Sequence, residues 1–465
     1  MSDVPVHDDV PERPRPAVRV LHTSDWHLGV AVRNHSRTED HEAVIAEIIE
    51  VARVAEPDLI LHTGDLFDGH RPALGDFGLA IRALRDLATI APVALLSGNH
   101  DSPVALTVLG VAVEDEVPAA LAAGTFDPHA ETTNRIRVHA KPVVAENGAI
   151  TSYPTRAGGT LRLVALPFVH QNRVLSTFSD LVETNATYND SLRKIVGSYS
   201  SVCFDQFDPA RDVAVFASHL HVKDARTSSE KMIHIADDYA TDPAHFEPRY
   251  GYLAFGHIHV PQPVANGRGR YAGSILEVDY GEEGEEKQVV IADLIPGRPT
   301  QIHSVLLRAG RRLCRVRAPL SELADRADAV GNGIVEVTVV AEPAEQTGLF
   351  ADPQAIEVGG IAFESLSAAV AAVLPDATVV SVIDARNPAA VGADELDAPA
   401  VAESVGDTFR TWLAGAGSAV VAKGEGRADV TRVAELFDEI HAAAASDAPP
   451  DLAEEALLTA KELTG

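Results

Sequence analysis

Cysteine is nearly absent: Cys203 and Cys314 are the two in 465 residues. They lie far apart and match no metal-ligand spacing, which excludes a disulfide-stapled secreted scaffold and points to a reducing, cytoplasmic setting. Long apolar runs are also missing. No window reaches the roughly 18 uninterrupted apolar residues of a membrane span, so a soluble chain is expected. The first sixteen residues, MSDVPVHDDVPERPRP, have neither the basic start nor the apolar stretch of a secretory signal and read as a disordered tail. Basic residues are scarce as well: 38 Lys and Arg stand against 68 Asp and Glu, a formal net charge of −30. Nucleic-acid binding draws on Lys and Arg to neutralise phosphates, so this balance counts against a free-standing DNA binder. Metal cations inside a site, or a partner subunit, could provide the missing positive charge.

Hydrophobic residues make up 46% of the chain, enough for a large core and for more than one domain. From Arg19 to Ala112 the runs VRVLH, DLILH and PVALLS alternate with the amphipathic stretches EDHEAVIAEIIEVARVA and FGLAIRALRDLA. Short apolar runs alternating with 3.6-period segments predict βαβ units around a buried parallel sheet, an α/β layered fold. LRLVALP, VAVFASH, YLAFGH and KQVVIADL continue the series, with a helix predicted near 189–196. Residues 114–158 are richer in turn residues and read as an insertion. LIPGRP breaks the pattern and marks a domain boundary, giving a first domain over 17–298. A smaller α/β unit follows over 299–390, its elements running from about Leu313 to Asp384, and a helical, acidic tail occupies 391–465.

Chemistry-bearing residues gather where the apolar runs stop. HTSDWHLG places Asp25 and His27 two apart as the chain leaves a strand, and HTGDLFD places Asp65 after a glycine at the next strand end. Alone, the first pair is a turn carboxylate beside an imidazole, and Asp65 could merely cap the following helix. SGNHD adds Asn99, His100 and Asp101 at the third strand end, the edge where open α/β sheets form their crevice. VAVFASH then delivers His219, and LAFGHIH delivers His257 and His259. Imidazoles, carboxylates and one amide at successive strand ends exceed what a single ion needs, and Asp65 offers two oxygens that could bridge a pair of ions. Mixed nitrogen and oxygen ligands suit manganese, iron or zinc better than calcium. His22 and His62 are expected to be satisfied core residues, and His221 to face solvent or sit beside a ligand.

These motifs, D-x-H, G-D, G-N-H-D, a single His and G-H-x-H in this order, resemble those of the calcineurin-like metallophosphoesterases. Within that family LHTSDWHLG, GDLFD, LLSGNHD, AFGHIHVPQ and YAGSILEVDYGE look like the SbcD branch. The chain departs from the pattern at Ser218, where a glycine is usual before the motif histidine, at Asp68, a histidine in some related nucleases, and at Ile275, where a proline often follows the serine. The resemblance implies one ion held by Asp25, His27, Asp65 and His259 and a second by Asp65, Asn99, His219 and His257, with two manganese ions favoured. It leaves His100 as the catalytic histidine, stabilising charge on the phosphate and protonating the leaving oxygen, with Asp101 orienting its imidazole and Asp68 beside the ligands. It further implies a manganese-dependent DNA nuclease, exonuclease on duplex ends and endonuclease on single strands or hairpins, within a DNA-repair complex. The second α/β unit would be a capping domain. The tail would bind an SbcC-type ATPase through helices such as the one whose Val430, Val433, Leu436, Phe437 and Ile440 share a face, forming a homodimer within a heterotetramer. Since the motifs specify phosphoester hydrolysis rather than DNA, a phosphatase acting on small molecules or proteins is the alternative, and a scaffold without activity the non-enzyme reading.

Overall fold

The computed structural model describes residues 9–114, 135–156, 158–170, 177–182, 187–227, 240–342, 356–358 and 361–386. The chain divides into compact units over 1–386 and 387–465; the second, which contains the expected tail helices, lies outside the described residues.

In chain order the first unit opens with strand β1 (Val18–Thr23), helix α1 (Thr38–Ala55), β2 (Leu59–His62), α2 (Leu74–Ile90), β3 (Val93–Leu96), α3 (Pro103–Glu114) and β4 (Ile136–His139). There follow β5 (Ile150–Pro154), β6 (Thr160–Leu166), α4 (Tyr188–Cys203), β7 (Val213–His219), β8 (Tyr252–Gly256), β9 (Gln262–Val264), β10 (Gly269–Tyr271), β11 (Gln288–Leu294) and β12 (Gln301–Leu306). Two six-stranded sheets result, ordered β12-β11-β1-β2-β3-β4 and β9-β10-β8-β7-β6-β5. Strands β1 to β4 run parallel, as do β6, β7, β8 and β10.

The two-residue period of the strands explains the layering. Val18, Val20, Leu59, Leu61, Ala94 and Leu96 of the first sheet meet Leu161, Leu163, Val213, Val215, Tyr252 and Ala254 of the second in one core between the sheets. The alternate residues Leu21, Ile60, Val93 and Leu95 turn outward onto α1, α2 and α3, where Val44, Ile45, Ile48 and Ile49 supply the facing stripe. Val164, Phe216, Leu253 and Phe255 pack on the far side against Leu192, Ile195, Val196 and Tyr199 of α4. Thr187 caps α4, its hydroxyl accepting from the Asp190 N–H. Arg19 of β1 pairs bidentately with Asp293 of β11 at 2.8 and 2.7 Å, both side chains buried. Loss of one partner would leave an uncompensated buried charge, costing about 3–5 kcal/mol.

Some details differ from the sequence reading. LIPGRP is no domain boundary: it turns the hairpin from β11 into antiparallel β12, so residues 301–306 belong to the first sheet. Residues 136–139 and 150–154, read as insertion, are edge strands of the two sheets and carry the chain from one to the other. Residues 9–16 are held rather than loose, because Arg13 reaches Asp58 and the Ala17 carbonyl while Arg308 pairs with Asp9.

A third, parallel sheet of β13 (Leu313–Pro319), β14 (Ile334–Val340) and β15 (Thr378–Ala385) packs with helix α5 (Leu366–Val373) around Leu320, Leu323, Val337, Val339 and Val370. It joins the larger body through Val32, Tyr280, Leu313 and Ile334 and through the ion pairs Arg33–Glu336 and Arg315–Glu283.

Candidate metal centre

Three parallel strands of the first sheet and two of the second bring their carboxyl ends together, and the residues named above stand there. Asp25 and His27 follow β1, Asp65 follows β2, Asn99 and His100 follow β3, His219 ends β7, and His257 and His259 follow β8. The loops are laced together by main-chain bonds: the Asp25 N–H donates to Gly64 O at 3.0 Å and the His27 N–H to Asp65 O at 3.1 Å. Close approach demands glycine at two points. A Cβ on Gly98 would collide with the Asp65 carboxylate, and one on Gly64, at φ +107°, with the His219 ring. Asp25, His27, Asp65 and His257 themselves lie at φ of 50°, 47°, 52° and 100°. Such left-handed backbone costs about 1–3 kcal/mol per residue and clusters at functional sites, where the surrounding structure enforces it.

The side chains converge. His27 Nε2 and His259 Nε2 are 3.0 Å apart, and His27 Nε2 lies 3.8 Å from Asp65 Oδ2. His219 Nε2 is 3.3 Å from Asp65 Oδ2 and 2.9 Å from Asn99 Oδ1, which also meets His257 Nδ1 at 2.9 Å. Three groups of side chains lie close enough to hold a metal ion: Asp25, His27 and His259; Asp25, Asp65 and His219; and His27, Asp68 and His100, the last two part-exposed. All of these side chains except those of Asn99, Asp68 and His100 are at most 9% exposed.

The partners behind the imidazoles decide which nitrogen faces inward. His219 Nδ1–H donates to Thr63 O at 2.8 Å and His259 Nδ1–H to Glu282 Oε1 at 2.6 Å, leaving Nε2 lone pairs for the centre. A lone pair then faces the Asn99 carbonyl oxygen, and nitrogen faces nitrogen at His27 and His259. Acceptors pressed together in this way repel unless a proton or a cation stands between them, so the donor set fits metal ions. The electrostatics agree. Burial opposes charge on His27, yet Asp68, Asp65 and Asp25 outweigh it and push the imidazole up to about 9. Burial likewise opposes charge on His219, and Asp65 and Asp25 raise it to about 9. Burial would raise Asp65, but His219, His27 and His100 hold its carboxyl well below the usual range, whereas burial raises Asp25.

The residues around this set depart in part from expectation. Asp101 does not orient His100. Its buried carboxylate accepts from the N–H groups of Leu66, Phe67 and Gly98 at 3.2, 3.0 and 2.9 Å, tying the Asp65 loop to the Asn99 loop. It acts as a brace because three main-chain donors reach it first. The His100 imidazole is held instead by the main-chain oxygen of Asp68, and the Asp68 carboxylate lies 3.3 Å from His27 Nδ1. His22 is a buried core residue bonded to the Tyr252 and Thr63 hydroxyls, and His62 packs edge-on against Trp26. His221 does not face solvent; it is 7% exposed.

Glu282, Lys287 and Phe168 went unread in the sequence. Glu282 sits behind His259 and takes Lys287 Nζ at 2.7 Å and the Ser274 hydroxyl at 3.1 Å on its other oxygen. It closes the stretch YAGSILEVDYGE, but nothing in the acidic run that follows tells which carboxylate folds inward.

A family model for the calcineurin-like phosphoesterases matches residues 18–261. The chain is 28% identical over 317 residues to the SbcD component of the SbcCD nuclease of Bacillus subtilis, covering 65% of this chain and 72% of that protein. It is 27% identical over 286 residues to the corresponding SbcCD component of Rhodobacter capsulatus, covering 60% and 67%. A solved dimetal phosphatase from Danio rerio is 12% identical and covers 62% of this chain and 98% of its own, with a TM-score of 0.30.

Proposed function

The chain belongs to the calcineurin-like phosphoesterase family, and from that premise we propose that it is a two-metal DNA nuclease of the SbcD type. It is a metal-dependent hydrolase of phosphodiester bonds. The observation that carries the reading is the convergence of imidazole lone pairs and buried carboxylates on one strand edge, with His27 Nε2 and His259 Nε2 3.0 Å apart. Asp25, His27, Asp65 and His259 would hold one divalent ion, and Asp65, Asn99, His219 and His257 the other, with Asp65 shared. Two ions held by these residues would supply charge neutralisation for the phosphate and a lowered pKa for water, so no side-chain nucleophile would be needed. Manganese is the favoured ion because imidazole suits transition metals while magnesium prefers oxygen.

The protein groups position and balance charge. Thr63 O, Glu282 and Asp68 orient the imidazoles, and Asp101 holds the two loops in register. His100 would meet the phosphate or the leaving oxygen through Nε2. Because its Nδ1 proton is engaged by Asp68 O, it would donate there only as the doubly protonated imidazolium, a form that burial disfavours and the Asp65 charge favours. The DNA substrate, exonuclease action on duplex ends and endonuclease action on single strands or hairpins come from the similarity to SbcD proteins. So does an SbcC-type ABC ATPase bound by the tail, in a homodimer within a heterotetramer, where the partner would offset the charge of −30. Among the described residues no helix is long and apolar enough to cross a membrane, and a cytoplasmic location fits this chemistry.

The test compares manganese-dependent release of nucleotides from linear DNA with release of nitrophenol from a simple phosphodiester, after chelation and metal restoration. Activity on both supports the nuclease; activity on the small ester alone moves the assignment to a metallophosphatase or phosphodiesterase acting on small molecules or proteins. Truncation near Ala393 should abolish co-elution with the ATPase while leaving hydrolysis of single strands.

A further inference from the structure

A cavity of about 340 Å³ borders the metal centre between the loop after β3 and the segment leaving β6, a size at which small ligands are bound. Ser97, Ser102, His70, Lys141, Phe168 and His170 are among its walls. Phe168 is the residue that joins it to the chemistry. Its ring centroid lies 6.1 Å from that of His219 and 6.3 Å from that of His257, and His170 stands edge-on to it at 4.9 Å. The Phe168 N–H donates to Ser97 O at 3.0 Å, so its backbone is tied to the strand end that precedes Asn99. Phe168 is nonetheless only half-buried, while His170 and Lys141 are exposed.

A phosphodiester seated at the centre carries a sugar and base on each side, and the cavity is the adjoining space. An aromatic face there suits any base, because stacking needs only a π-face, and a lysine on the rim suits the next phosphate. We propose that Phe168, flanked by His170, is a stacking platform for an unpaired nucleobase beside the scissile phosphate, with Lys141 paired to the neighbouring phosphate. The proposal rests on the nuclease reading above and deepens it. It also gives this acidic chain a way to hold nucleic acid that does not depend on a basic surface.

The experiment uses the full chain with manganese and two single-stranded oligonucleotides, one intact and one with an abasic residue next to the cleaved bond. The wild type should cleave the intact strand about 10- to 100-fold more efficiently, the range of one base–aromatic stack. In Phe168→Ala that ratio should fall towards one. Phe168→Leu, which keeps an apolar side chain but no π-face, should do the same, with metal content measured alongside to show an intact centre. A wild-type ratio of one, or a ratio that survives in Phe168→Leu, overturns the platform. Failure of the wild type to cleave either strand while it hydrolyses a nitrophenyl phosphodiester overturns the nuclease reading and the platform with it.

Discussion

His100 Nδ1 lies 2.7 Å from the main-chain oxygen of Asp68. A carbonyl only accepts, so the bond commits the Nδ1 proton and leaves Nε2 as the nitrogen able to meet a substrate. His100 also stands edge-on to His27, 4.9 Å between centroids, and with His27 and Asp68 it forms a further group whose atoms lie close enough to hold an ion, so the role proposed for it as a non-ligand is open to test.

His100→Leu should therefore retain both metal ions and bind substrate while losing about 10²–10⁴-fold in turnover, the scale of general acid catalysis. Elemental analysis beside steady-state kinetics checks this. A variant depleted of metal would mean that His100 is a ligand.

Asp101 should behave in the opposite way. Burial, together with the neighbouring Asp65 charge, pushes its carboxyl up to about 6, against three main-chain donors that favour the ionised form. Hydrogen bonds to a charged group contribute about 1.5–3 kcal/mol each. Asp101→Ala should lower Tm by several degrees and reduce metal content as the Asp65 loop relaxes. Unchanged melting and metal content with lost turnover would restore the orienting role that the sequence suggested.

The contrast shows what a sequence can reveal. That Asp25, Asp65, Asn99 and His219 come together was legible because each stands at the end of an apolar run, and a parallel strand end has one place to deliver its next side chain. The split into two facing sheets was not legible. Strands such as Leu59–His62 and Val213–His219 are buried on both faces, so their runs read alike whichever sheet they join. The edge strands Ile136–His139 and Ile150–Pro154 are part-exposed and turn-flanked, which hid them as an insertion. Asp101 was misjudged because its partners are main-chain N–H groups, which leave no trace in residue type.

His22 offers a test of the fold independent of activity. Burial lowers its imidazole to about 3, so it stays neutral in the folded protein, while the unfolded chain takes up a proton near 6.5. Below that pH the unfolded state binds more protons, so stability is full above about 6.5 and falls as pH drops towards 3, by about 1.4 kcal/mol per unit from this residue. His22→Gln should flatten that acid limb by about 1 kcal/mol per pH unit in denaturant titrations. Parallel limbs for variant and wild type would show that His22 titrates normally in the fold.

Glu282 presents a different kind of dependence, because it touches no substrate and is fully buried. Burial works against its charge, but the bond from His259 and the charge of Lys287 hold it far below the usual carboxylate range. It is thus a permanent anion, 2.6 Å from His259 Nδ1, that fixes the tautomer presenting Nε2 to the centre. An orienting carboxylate of this kind is worth about 10- to 100-fold in metal affinity. Glu282→Gln keeps the volume and one acceptor oxygen but removes the charge, so manganese affinity measured by calorimetry should fall within that range while the protein remains folded. Lys287→Met should act through stability instead. It leaves the Glu282 anion without its cation at 2.7 Å, a cost of about 3–5 kcal/mol, and should lower Tm more than Glu282→Gln does. Wild-type manganese affinity in Glu282→Gln would show that Thr63, Asp68 and the strand ends alone orient the imidazoles, and that the acidic residue behind His259 serves only to pair Lys287.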